Sequence, residues 1–286
     1  MHLMRPRKAA IFALSNAPDP ALVEEGRRTL SLALGGVEVV LALPQTPGPR
    51  KFAGDDSARA ACFNQLLEDG SVDLLVSACG GYGVTRILHL IDFDLLRRSR
   101  KTLCGYSDVS ALLLAAMSRG CTRLIHGPMI CSNWGLPPAP ELLLERNIFL
   151  ELLDGRPFAL EDSRFPPIRF LKQGRLSAPL VPTNLTMLAS LLGTPFMPDL
   201  KGCILAIEDV NEPAHAIDRK LNQLKSAGVL PHLAGLLFGH FTLCEDAEFL
   251  PGIMREYAEC VKGPVAVGFP LGHDHPVKSV PLKRVL

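Results

Sequence analysis

The sequence predicts an α/β protein whose first half is wound on a parallel sheet. Two observations carry that prediction. Short apolar runs alternate with segments of helical apolar spacing from residue 9 to about residue 125, the pattern of right-handed βαβ units. Glycine-containing clusters follow two of the runs, at Gly80–Gly83 and Gly105–Asp108. In such folds ligands sit outside the carboxyl ends of the strands, where these clusters fall.

The elements follow in order. Ala9–Leu14 is an apolar run read as the first strand, and Ala21–Leu34 has helical spacing after the proline-containing loop Asn16–Pro20. Val37–Leu43 is a β-branched strand stopped by Pro44, and a polar loop leads to a helix near Ser57–Glu68. Val72–Ala78 is a buried strand, and Val84–Leu90 is helical after the glycine cluster. Lys101–Gly105 is a strand, Val109–Ser118 a helix and Arg123–Ile125 a short strand.

The rhythm changes near residue 150. The stretch 156–183 is rich in Pro and Arg and reads as a linker between domains 1–155 and 184–286. Beyond it come a helix at Asn184–Leu192, a strand at Gly202–Ile207 and a helix at His215–Ala227. A strand at Leu233–Phe238, a helix at Leu250–Cys260 and a strand at Val265–Val267 complete the pattern. The expected architecture is a flavodoxin- or Rossmann-like N-terminal domain plus a smaller C-terminal α/β or α+β domain.

Composition removes several function classes. With 30 Lys and Arg against 29 Asp and Glu, the net charge of +1 argues against a nucleic-acid or membrane-surface role driven by bulk charge. A hydrophobic fraction of 48% without polar tracts argues against disorder. The basic start at Arg5–Lys8 precedes an apolar run too short for a secretory leader, and no stretch reaches the ~20 apolar residues that span a bilayer. None of the 8 cysteines forms a C-x-x-C pair, so they read as buried free thiols of a reducing cytoplasm.

Four places bear on chemistry. Gly105-Tyr106-Ser107-Asp108 joins a strand to a helix. It fits a nucleophile elbow without the second glycine, and it equally fits a helix N-cap at Ser107 or Asp108. Gly80-Gly81-Tyr82-Gly83 lacks both the dinucleotide and the P-loop fingerprint, which leaves an oxyanion-binding turn or a plain tight turn. Glu208, at the end of an apolar run, fits a histidine-orienting carboxylate or a surface charge. His273 follows Gly272 and fits a general base, whereas His273-x-His275 is not a recognised zinc spacing.

Taken together these residues give the chain order Ser107, Glu208, His273, acid before base, as in many α/β serine hydrolases. With Phe52–Asp56, Arg59, His126-Gly127-Pro128-Met129, Asn184-Leu185 and Leu192–Pro195 in the same order, nearly the whole chain resembles the LD-carboxypeptidases, serine peptidase family S66. That family includes muramoyltetrapeptide carboxypeptidases and microcin C immunity peptidases. The resemblance implies Ser107 as nucleophile, His273 as base, Glu208 as its orienting acid, and an active site in the cleft between the domains. It further implies an oxyanion hole from the amides of Asp108 and Gly81, and substrate contacts at Gly80, Tyr82, Tyr106 and Asn184. No metal or organic cofactor is implied. The implied substrate is a murein tetrapeptide that loses its terminal D-alanine in cytoplasmic peptidoglycan recycling. Family members are often dimers, so a homodimer is compatible with the resemblance.

The chain departs from the family pattern in four places. Cys79 stands where an arginine is usual, and Pro182-Thr183 where Gly-Gly often precedes Asn-Leu. The asparagine expected after Gly-His is not clear in Asp274–Lys278, and the chain stops at Leu286 where relatives continue. Two other functions stay open on these grounds: a microcin C-type immunity peptidase and a non-catalytic muropeptide-binding homologue.

Overall fold

The structure, a computed structural model, describes residues 5–285. The first sheet is built from β1 (Lys8–Phe12), β2 (Glu38–Ala42), β3 (Leu74–Ser77), β4 (Thr102–Gly105) and β5 (Leu124–His126), all parallel. The second is built from β6 (Arg169–Lys172), β7 (Pro179–Asn184), β8 (Ile204–Val210), β9 (Gly235–Thr242) and β10 (Val265–Val267). In it β7 to β10 run parallel and β6 pairs antiparallel to β10. Two short strands close the chain: β11 (Val280–Pro281) against β5 and β12 (Arg284–Val285) against β7, both antiparallel. The sheet orders are β11-β5-β4-β3-β1-β2 and β12-β7-β8-β9-β10-β6.

Nine α-helices are described: α1 (Pro20–Ala33), α2 (Asp56–Glu68), α3 (Val84–Ile87), α4 (Phe93–Ser99), α5 (Ser110–Ser118), α6 (Pro140–Leu153), α7 (Leu185–Leu191), α8 (Ala214–Ser226) and α9 (Leu250–Ala258). Local chemistry sets their starts. Asp19 caps α1 by accepting from Ala21 N at 2.8 Å, and Asp55 caps α2 by accepting from Ala58 N at 2.7 Å. Helix α5 is apolar around its whole circumference, and every residue from Ser110 to Met117 is buried. A helix of that kind belongs inside a core. It packs on α7 of the second unit, and one apolar cluster runs from Phe12 and Leu113 to Val181, Leu205 and Phe238.

Four sequence expectations change here. The stretch 156–183 is not a plain connection, because β6 and most of β7 lie in it and belong to the second sheet. The second unit is also no smaller in its sheet than the first, with 6 strands in each. The C-terminal segment does not stay with one unit either: β11 extends the first sheet and β12 the second. The thiols are free as expected, but only Cys104 and Cys203 are buried and the other six are half-exposed.

Among the described residues, no helix is long and apolar enough to cross a membrane.

Candidate active site

Strand β4 ends at Gly105 and delivers Tyr106 and Ser107 into a tight turn that feeds α5. Ser107 has φ 60, in the left-handed region that non-glycine residues rarely enter. Neither capping role is taken. The turn has no side-chain cap bond, and neither does the start of α5. The Asp108 carboxylate instead turns inward, accepting from Ser15 Oγ at 2.7 Å and Val84 N at 3.0 Å. Burial pushes its carboxyl above the ordinary range.

The glycine cluster lies directly against this turn. A β-carbon on Gly80 would stand 2.9 Å from Ser107 Oγ, so only glycine leaves room for the serine. Gly81, at φ 111, leaves no room for a β-carbon beside Asn16. Fully buried Arg59 fixes the far side of the cluster by donating to Leu14 O and Gly83 O, with its guanidinium over the Phe52 ring. The motif residues Phe52 and Arg59 are thus the scaffold of the glycine turn. Tyr82 is exposed at the rim and leans on Phe52, with ring centroids 5.6 Å apart.

The other half of the site comes from the second sheet. Glu208 lies in β8 and is fully buried. His273 follows β10 on a loop, and its Nδ1 donates to Glu208 Oε2 at 2.7 Å. That bond places the ring proton on Nδ1 and leaves the lone pair on Nε2. Nε2 is buried and has no hydrogen-bond partner, so it is not bonded to Ser107 Oγ. Burial pushes the Glu208 carboxyl up, and its bond to His273 opposes the shift.

Tyr106 joins the two halves. Its ring meets the His273 ring edge-on, centroids 4.9 Å apart at 61°, which brings the histidine loop against the serine turn. Tyr106 is buried, so it is a wall behind His273 rather than a surface for substrate. Asn184 is also not open to a ligand. It is buried, caps α7 by accepting from Met187 N at 3.0 Å, and donates to Asp209 Oδ1 at 2.9 Å. A polar residue directly before a helical run is the sequence signature of that role.

His126 is the residue that sequence reasoning used only as part of a motif. It ends β5 in register with Gly105, and its ring lies 5.7 Å from that of Tyr106. Burial pushes its pKa down to about 3. It is therefore a neutral ring at ordinary pH. The signal was its place: a histidine closing the strand beside Gly105-Tyr106-Ser107-Asp108. Cys79 donates to Asn16 O at 3.1 Å, and burial pushes its thiol up to about 12.

Residues 9–127 match the model of the LD-carboxypeptidase N-terminal domain, and residues 177–285 match that of the LD-carboxypeptidase C-terminal domain. The chain is 33% identical over 277 residues to the probable murein peptide carboxypeptidase of Bacillus subtilis, covering 95% of this chain and 85% of that protein. The crystal structure of muramoyltetrapeptide carboxypeptidase from Oxalobacter formigenes superposes with a TM-score of 0.81 at 26% identity, over 96% of this chain and 92% of that one. The structure of MccF in complex with glutamyl sulfamoyl guanosine shares the fold, with a TM-score of 0.85 at 22% identity over 99% and 94%. A fold of two mostly parallel sheets, two matched family domains and a relative similar along almost its whole length lead to one conclusion: the chain belongs to the LD-carboxypeptidase family, peptidase family S66, and is a serine carboxypeptidase.

Proposed function

We propose that this enzyme removes the terminal D-alanine from murein tetrapeptides, cutting the amide that follows an L-centre, during cytoplasmic peptidoglycan recycling. Ser107 is the nucleophile, His273 the base and then the acid, and Glu208 the group that orients His273. The observation that carries the reading is the 2.7 Å bond from His273 Nδ1 to buried Glu208, which leaves Nε2 as a free acceptor on a loop packed beside the Ser107 turn. The printed names of the murein-peptide relatives supply the substrate class.

The chemistry follows triad logic. His273 Nε2 takes the Ser107 hydroxyl proton as Oγ bonds to the scissile carbonyl carbon. The oxyanion forms against the amides of Asp108 and Gly81. Charge develops there and on the imidazole, which Glu208 stabilises without taking the proton itself. The His273 proton then passes to the leaving nitrogen, and D-alanine departs. Water attacks the acyl-serine with its proton going to Nε2, and that proton returns to Oγ as the peptide acid leaves. The strained φ at Ser107 suits a nucleophile held out of the regular backbone.

The test is release of free D-alanine from purified murein tetrapeptide, wild type beside Ser107→Ala. Release by wild type alone supports both the substrate and the nucleophile. Release by both would remove Ser107 from the mechanism, and release by neither would remove the substrate.

A further inference from the structure

His273 shares its loop with a second histidine–carboxylate pair. His275 Nδ1 donates to Glu145 Oε1 at 2.6 Å, and Val277 N donates to the same oxygen at 2.7 Å. Glu145 lies in the middle of α6, in the first unit, and is 3% exposed. Its other oxygen accepts from Asn133 Nδ2 at 2.6 Å. Arg146 fixes that amide in turn, its Nε donating to Asn133 Oδ1 at 3.1 Å and its Nη2 to Asn133 O at 2.7 Å. Both Glu145 oxygens therefore face donors whose orientation is set.

The ends of the loop are also held. Gly272, at φ +154, lies so close to β9 that a β-carbon would stand 2.7 Å from His240 Cβ, and Leu271 O accepts from His240 N at 2.7 Å. Beyond the loop, Lys278 N donates to Pro270 O at 2.8 Å and Val280 pairs with His126. Between these points the loop is pulled from two sides. Glu208 holds His273 from the second sheet, and Glu145 holds His275 and Val277 from the first unit. A buried carboxylate satisfied by three donors is costly to disturb and stiff in position.

We propose that the Glu145–His275 pair is a positioning clamp for His273, fixing the loop across the two units so that Nε2 is presented to the Ser107 turn. The proposal rests on the reading of Ser107 and His273 given above. It makes Glu145 and His275 positioning residues: neither meets the reacting atoms, and each acts through where it leaves His273.

The experiment measures the rate at which a fluorophosphonate probe labels Ser107, since that rate reports activation of the serine without any peptide substrate. The proteins are wild type, Ser107→Ala, Glu145→Gln, His275→Ala and His275→Asn, with kcat and KM for D-alanine release measured on each. In Glu145→Gln either orientation of the amide sets an NH2 group against a fixed donor. That variant and His275→Ala are expected to lose roughly 10- to 100-fold in labelling and in kcat with KM nearly unchanged. His275→Asn places an amide N–H where Nδ1–H stood and is expected to recover most of the loss. A merely structural role would lower the melting temperature without this rescue in rate.

Labelling of folded His275→Ala within about twofold of wild type would overturn the clamp, as would a loss confined to KM. If Glu145→Gln fails to fold, the two His275 variants decide, because that side chain is half-buried at the loop surface. Labelling without D-alanine release would count against the substrate and leave the clamp to be judged on labelling. No labelling of wild type would remove the activated serine and the clamp with it.

Discussion

Gly80 sits so close to Ser107 that a β-carbon at position 80 would stand 2.9 Å from both Cβ and Oγ of the serine. Real β-carbons do not approach heavy atoms that closely, so a side chain there must displace the serine or shift the turn. Gly80→Ala is therefore expected to misplace the nucleophile rather than unfold the protein. A displacement of about 1 Å costs on the order of 10²-fold in rate, and kcat for D-alanine release should fall by about that much. The melting temperature should change little. Unchanged kcat in the alanine variant would show that Ser107 is not the attacking group or that the turn adapts freely.

Glu208→Gln tests the orienting acid. A glutamine is isosteric and keeps β8 in place, but it offers His273 Nδ1 either an amide donor or a weaker acceptor. The lost preference for the Nδ1–H tautomer should lower kcat by roughly 10²- to 10⁴-fold with KM nearly constant. Steady-state kinetics beside circular dichroism checks both parts. Near-normal turnover by a folded Glu208→Gln protein would remove Glu208 from the mechanism.

Much of this site is legible in the sequence. Val72–Ala78 reads as a buried strand and Lys101–Gly105 as a strand in the alternating pattern, and β3 and β4 lie within them. The glycine and serine turns were legible because ligand-facing turns follow strand ends. What was hidden has specific causes. The prolines at 179 and 182 belong to the stretch that reads as a linker, yet β7 runs from Pro179 to Asn184. Leu180 O points toward β12, accepting from Lys283 N. Residue 182 faces the same way, and the β12 pairing reaches only Pro179 and Leu180. The missing N–H of Pro182 thus interrupts no ladder bond, which is the setting in which strands tolerate proline. The sequence reading assigns no element to α6, and Glu145 on it has partners 12 and 130 residues away in the chain. No local pattern reports contacts at that separation. Asn184 and Tyr106 stand where the family motifs put them, but only burial revealed that neither is open to substrate.

Cys79 lies directly before the glycine turn, which raises the question of thiol chemistry. The structure answers against it. Burial pushes the thiol up to about 12, so almost none is ionised near neutrality, and the S–H donates to Asn16 O. Cys79→Ser preserves a donor of similar size. It should keep kcat within about threefold of wild type, and iodoacetamide at neutral pH should leave wild-type activity intact. Loss of turnover in Cys79→Ser would give the thiol a chemical role.

His126 predicts a pH dependence of stability. In the folded protein burial holds its pKa at about 3, against an ordinary value of 6.5 in the unfolded chain. Between those values the unfolded state binds the proton and the folded state does not. Stability therefore falls as pH drops through that window, by about 1.4 kcal/mol per unit at most for a single proton. Buried Glu208 and Asp108 have raised carboxyl pKa values and work in the opposite direction, gaining stability as pH falls. Only a comparison isolates the histidine. His126→Phe keeps a ring against Tyr106 and removes the titration. Denaturant melts of both proteins from pH 7 to pH 4 should show wild type losing stability relative to the variant, with the gap widening as pH falls. Parallel curves would mean that His126 takes up its proton in the folded protein as readily as in the unfolded chain, which would remove the effect of burial on the ring behind Tyr106.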